Sequence, residues 1–176
     1  MPSKSHTEAA LDEALARALF NRPRIAAWFL ARTPFASETE VASCVFCRCD
    51  NPWSSVRLAI PNAMTGEVEM LVRQCETDVL AVFATRDGRR LALHIENKLA
   101  GGTFTPHQPE LYQERKTQWK GRDKLGAYTD ATTVLIAPKV FYERLRDRAA
   151  IFDSYISHEE ISEYVPEFGA PRAVRA

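Results

Sequence analysis

The sequence predicts an α/β sandwich: a mixed central sheet of about four to five strands flanked by helices. Three observations carry this expectation. Two segments with helical apolar spacing open the chain. Two short runs, Thr77 to Ala84 and Thr132 to Ala137, are apolar on both faces, as strands in the middle of a covered sheet are. Further helical stretches follow the second of these runs. A chain of 176 residues fits one domain, expected over 1–165, with a loose tail at 166–176.

Thr7 to Phe20 reads as a helix because Leu11, Leu15, Ala18 and Leu19 recur on one face and Thr7 can cap it. Asn21-Arg22-Pro23 interrupts it. Pro23 suits the first turn of a second helix, Arg24 to Arg32, with Ile25, Trp28 and Phe29 as its apolar stripe. Residues 36–54 carry no clear period, although Glu38 to Ala42 could form a short helix. Val56 to Ile60 and Val68 to Arg73 read as strands, followed by the apolar run Thr77 to Ala84. Arg86-Asp87-Gly88-Arg89 is a turn signal, so Leu91 to Lys98 is expected to return as the second arm of a hairpin. After the strand Thr132 to Ala137 come a helix at Val140 to Ala149, a strand at Ile151 to Ile156 and a last helical piece at His158 to Tyr164.

Lys plus Arg and Asp plus Glu both number 23, so the formal charge is zero and any nucleic-acid surface must be local. The N-terminal stretch MPSKSHTEAALDEAL is polar where a secretory signal would be apolar, and no run is long enough to span a bilayer. A soluble, cytoplasmic protein is the expectation. Cys44, Cys47, Cys49 and Cys75 admit two readings, ligands to zinc or an iron–sulfur cluster, or small buried thiols.

The functional signal lies where the run Leu91-Ala92-Leu93-His94-Ile95 ends in Glu96, Asn97 and Lys98. Alternation on a strand puts Glu96 and Lys98 on one face. The hairpin brings Asp78 opposite residue 97 or 98, so Asp78, Glu96 and Lys98 can converge at one end of the sheet. Two carboxylates and the Asn97 carbonyl form an oxygen-rich site for Mg²⁺, with Mn²⁺ as a substitute. A lysine beside it can orient a water or offset charge on a phosphate. The bland alternative is a solvated ion pair at a strand end.

Thr77-Asp78, the hairpin and Ile95-Glu96-Asn97-Lys98 together resemble the PD-(D/E)XK nuclease superfamily, in which an Asp ends one strand and a (D/E)-x-K triplet lies on the next. Thr77 stands where that pattern often has proline. Gln108-Pro-Glu-Leu-Tyr112 resembles the Q-x3-Y element of the RecB-like branch, with Gln113 a competing glutamine. The resemblance covers about Glu76 to Pro138 and implies a restriction-endonuclease-like fold and a metal-dependent endonuclease or exonuclease acting on DNA, in restriction, repair or defence. It implies Asp78, Glu96 and Lys98 as catalytic residues and Gln108 and Tyr112 on the next helix, facing the site. A further glutamate is expected on the first helix, for which Glu8, Glu13, Glu38 and Glu40 are candidates. A non-catalytic nucleic-acid-binding module of the same fold, within a larger complex, is the alternative.

Arg115, Lys116, Trp119, Lys120, Arg122 and Lys124 crowd the segment after Tyr112, which suits contact with a nucleic-acid backbone and base stacking, or else a solvated helix end over a core tryptophan. His94 and His107 are open to structural or site roles, and Glu76 to a supporting one. Neutral charge and small size point to a homodimer or other partner that completes a groove.

Overall fold

The computed structural model describes residues 7–38 and 42–169. The chain opens with α1 (Glu8–Asn21) and α2 (Pro23–Leu30). The Thr7 hydroxyl accepts from the Ala10 N–H and caps α1, and Pro23 occupies the first turn of α2, as expected. Strands β1 (Ser43–Arg48), β2 (Trp53–Pro61), β3 (Val68–Glu76), β4 (Val79–Ala84) and β5 (Arg90–Asn97) follow. Then come α3 (Gln108–Gln118), β6 (Asp130–Ala137), α4 (Lys139–Arg144), α5 (Arg146–Ala149), β7 (Ser154–Ser157) and α6 (His158–Ile161). None of the described helices is long and apolar enough to cross a membrane.

Five strands form one mixed sheet in the order β1-β4-β5-β6-β7. The pairs β1–β4 and β4–β5 are antiparallel, and β5–β6 and β6–β7 are parallel. The parallel step from β5 to β6 requires a crossover, which α3 supplies. Alternation along the central strands divides their side chains between two faces. Val79, Ala81, Phe83, Leu91, Leu93, Ile95, Val134 and Ile136 join α1 and α2 in one core. Leu80, Val82 and Ala92 join Leu111 of α3 and Trp119, its C-cap, in a second, and Leu135 and Ala137 meet Tyr112, Phe141 and Phe152 in a third. With both faces covered, these strands read in the sequence as unbroken apolar runs.

The hairpin β4–β5 pairs Val79 with Ile95 and Ala84 with Arg90, a register centred on Asp87. Gly88 takes φ +83°, a conformation the turn needs and that side chains disfavour. This register sets Asp78 opposite Glu96, slightly offset from the residue 97 or 98 expected.

Several expectations are corrected. β1 lies in the stretch without a clear period, and β2 and β3 form a separate two-stranded sheet outside the central one. The segment Val140 to Ala149 is two short helices broken at Leu145. Of the short helix considered at Glu38 to Ala42, Glu38 closes a 3-10 turn, and residues 39–41 lie outside the described residues. Of the tail expected at 166–176, Pro166–Phe168 is a 3-10 turn that buries Phe168 against the His158 ring, and residues 170–176 lie outside the described residues.

Candidate active site

Asp78 stands just before β4, and Glu96 lies near the end of β5. Asp78 Oδ2 accepts from the Asn97 N–H at 2.8 Å. Glu96 Oε1 receives Lys98 Nζ at 2.5 Å and Gln108 Nε2 at 2.7 Å. Glu96 is 1% exposed. Gln108 opens α3, and its own Oε1 accepts from the Thr105 N–H, which fixes the amide's orientation. Because the Lys98 N–H bonds Ile136 on the β6 side, both backbone groups of Asn97 face the β4 side, beside Asp78.

The charges do not balance. Burial and then the charge of Glu96 push the Asp78 carboxyl up to about 8, against the Asn97 N–H that stabilises its ionised form. Burial works against the Lys98 ammonium, yet Glu96, Asp78 and Glu8 hold its pKa above the ordinary lysine value. Lys98 is therefore a cation at neutral pH and a hydrogen-bond donor, not a base.

The first helix adds acids on the other side of Asn97. Glu8 Oε1 accepts from the Leu99 N–H at 3.1 Å. Asp12 is buried and accepts from Asn97 Nδ2 at 2.7 Å. Burial, reinforced by Glu8 and Glu96, raises the Asp12 carboxyl to about 6 despite the Asn97 hydrogen bond. Of the glutamates considered for this helix, Glu8 lies at the site. Glu13 lines a surface groove with Cys47 and Cys49, and Glu38 pairs with Arg89 at 2.7 Å. Glu40 lies outside the described residues. Asp12 is a site acid outside the glutamates expected from the sequence. Its signal was an acid in phase with Ala16 and Leu19, inside the buried stripe of α1.

Asn97 joins three elements. Beyond Asp12, its Oδ1 meets His158 Nε2 of α6 at 2.9 Å. Burial lowers the His158 pKa to about 4, so its ring is neutral at pH 7 and Nε2 donates. Asn97→Ala should cost about 2–4 kcal/mol in urea denaturation, from two lost hydrogen bonds and a stranded Asp12. A change below about 0.5 kcal/mol would mean that this junction holds nothing together.

Tyr112 is fully buried beneath the site, with its hydroxyl donating to the Ile95 carbonyl at 3.4 Å. Burial and the nearby Glu96 and Asp78 charges hold its phenol well above the ordinary range. Gln113 faces away, to Thr133, Asp153 and the Ile151 carbonyl, which leaves Gln108 as the site glutamine. Glu76 ends β3, where its carbonyl accepts from Arg115. His94 is buried and bonds Tyr128 at 2.9 Å, a structural role. His107 is exposed at the N-terminus of α3.

The expected nucleic-acid contacts do not stand as a group. Arg115 lies 3.8 Å from the Tyr112 ring and is buried, and Trp119 is fully buried beside His94. Lys116 is held by Asp153 at 2.7 Å. Only Lys120 of these four is exposed, with a loose contact to Asp130 at 3.4 Å. The four cysteines do not gather at one place either. All four are free thiols, with Cys44, Cys47 and Cys49 against the α1–α2 core and Cys75 in the core beneath α3. The central sheet lies between Cys75 and the other three, so the four do not form one site.

Among the described residues, no three His, Cys, Asp or Glu side chains form a metal cage. Mg²⁺ is ordinarily held by one or two carboxylates, with water and phosphate oxygens completing its shell. Asp78 and Glu96 fit that demand: both are at least mostly buried, and the Glu96 charge raises the cost of ionising Asp78. No family model, curated protein or solved structure matches this chain.

Proposed function

We propose that this chain is a divalent-metal-dependent nuclease that hydrolyses phosphodiester bonds of DNA, on a restriction-endonuclease-like fold. The observation that carries the reading is a surplus of buried carboxylate, Asp78 beside Glu96, met by a single ammonium at the end of the sheet. The resemblance of Asp78, Glu96-Asn97-Lys98 and Gln108 to Tyr112 to the PD-(D/E)XK pattern supports the same conclusion.

Asp78 and Glu96, with the Asn97 carbonyl, would hold Mg²⁺ or Mn²⁺, which supplies Lewis-acid polarisation of a phosphoryl oxygen and acidifies water. Lys98 donates hydrogen bonds to the attacking water or to the charge that develops on the phosphate. Gln108 keeps Glu96 in one orientation, and Tyr112 supports the strand from below. The Asp12–Asn97–His158 junction fixes the backbone that carries Glu96 and Lys98.

The test is incubation of purified protein with supercoiled plasmid and with single-stranded DNA, in Mg²⁺ or Mn²⁺. Cleavage is expected, and Lys98→Ala should slow it by about a hundredfold or more. Equal cleavage by both proteins would assign the activity to a contaminant. DNA binding without cleavage in either metal would favour the non-catalytic binding module.

A further inference from the structure

The β2–β3 hairpin stands apart from the central sheet. On one edge, Gln118 of α3 covers β2: its Nε2 donates to the Arg57 carbonyl at 2.6 Å, and its Oε1 accepts from the Arg57 N–H at 2.9 Å. Arg57 pairs with Val72, so the backbone groups of Val72 point the opposite way, out of the hairpin. The same holds for Val68, Met70 and Gln74. Among the described residues, none of these four has a backbone hydrogen-bond partner on that side. At Glu76 the edge closes, where its carbonyl accepts from Arg115.

The open edge is also apolar. Val68, Met70 and Val72 are 61%, 55% and 60% exposed, and Met64 at the turn is 95% exposed. A strand edge with free N–H and carbonyl groups and exposed apolar side chains is a template for another strand.

We infer that β3 pairs antiparallel with β3 of a second copy of this chain, about a twofold axis through Leu71. This register matches the edge in three ways. It sets Met70 opposite the partner's Val72, and Val68 opposite the partner's Gln74, so every outward backbone group meets another. It sets Glu69 opposite the partner's Arg73, and Arg73 opposite the partner's Glu69, which gives two opposite-charge pairs. Leu71 then meets the partner's Leu71 on the axis. With the axis moved to Val72, neither Glu69 nor Arg73 faces an opposite charge; with it moved to Met70, Glu69 faces Leu71 and Arg73 meets only Glu67, which lies outside β3. Charge therefore favours the Leu71 register, the one of these three whose ion pairs lie within β3, and the contact is self-complementary, as a twofold interface must be. The inference does not depend on the nuclease reading.

Sedimentation of the full chain over a range of concentrations should show a reversible dimer. Val72→Pro removes an N–H that the hairpin itself does not use, so it should yield a folded monomer by circular dichroism. Arg73→Glu should raise the dimer dissociation constant roughly tenfold, and Glu69→Arg added to it should restore association. Leu71→Cys should give an oxidised dimer on a non-reducing gel that the wild type lacks. A wild-type chain that stays monomeric at all concentrations, or a Val72→Pro chain that still dimerises, would overturn the proposal. Failure of the charge swap to restore association would overturn the register.

Discussion

Asp78→Asn should abolish DNA cleavage and, at pH 8 without divalent cations, give a protein that melts higher than the wild type. The Asp78 carboxyl sits at about 8 in the fold against an ordinary 3.8, because it is buried beside Glu96. Between those values the folded state holds a proton that the unfolded state has released. Stability of the metal-free wild type therefore falls as pH rises from about 4 to about 8, by a few kcal/mol. Asparagine is neutral throughout and still accepts from the Asn97 N–H, so it escapes this loss. Added Mn²⁺ should stabilise the wild type at pH 8 and leave Asp78→Asn nearly unchanged, since the variant lacks the charged ligand. Cleavage should fall about a thousandfold or more. Differential scanning calorimetry at pH 6 and pH 8, with and without Mn²⁺, reads all of this. Identical melting curves for both proteins at both pH values would remove the charge imbalance on which the site rests.

Trp119→Ala should be the most damaging single truncation of α3. The side chain is fully buried between the helix and the sheet, with its ring centre 5.5 Å from that of His94. Such a deletion costs about 3–5 kcal/mol. That corresponds to a melting temperature lower by about 6–20 °C. Lys120→Ala, one residue on, should change stability by less than about 0.5 kcal/mol, because its side chain is exposed. If DNA runs past this end of α3, Lys120→Ala should instead reduce the salt dependence of binding by about one counterion. Unchanged stability in Trp119→Ala would contradict its burial and reopen the stacking role.

These two predictions show what the sequence made legible. β4, β5 and β6 were readable because both faces are covered and their residues are almost all apolar. The site acids at Asp78 and Glu96 were readable because charge at the end of such a run is conspicuous. β1 was hidden by a bulge between Cys44 and Phe46, which breaks the two-residue alternation. β2 and β3 were readable as strands, but which sheet a strand joins depends on contacts distant in sequence. The segment from Arg115 to Lys120 misled through its composition. Its phase was the better guide: Leu111, Arg115 and Trp119 recur every four residues and mark the inward stripe of α3. Asp12 was obscured in the same way, since an acid near a helix start is usually taken as a favourable partner of the helix dipole.

The hydrogen bond from His158 to Asn97 has a consequence for synthesis. The residues beside Asp78 and Glu96 come from α1, β5 and α6, which are made early, midway and late. A chain still on the ribosome, with His158 not yet emerged, lacks the brace that positions Glu96 and Lys98. If the chain is the nuclease proposed above, such a nascent chain lacks a fully braced site while nucleic acid surrounds it, and a premature stop before His158 leaves the same incomplete site.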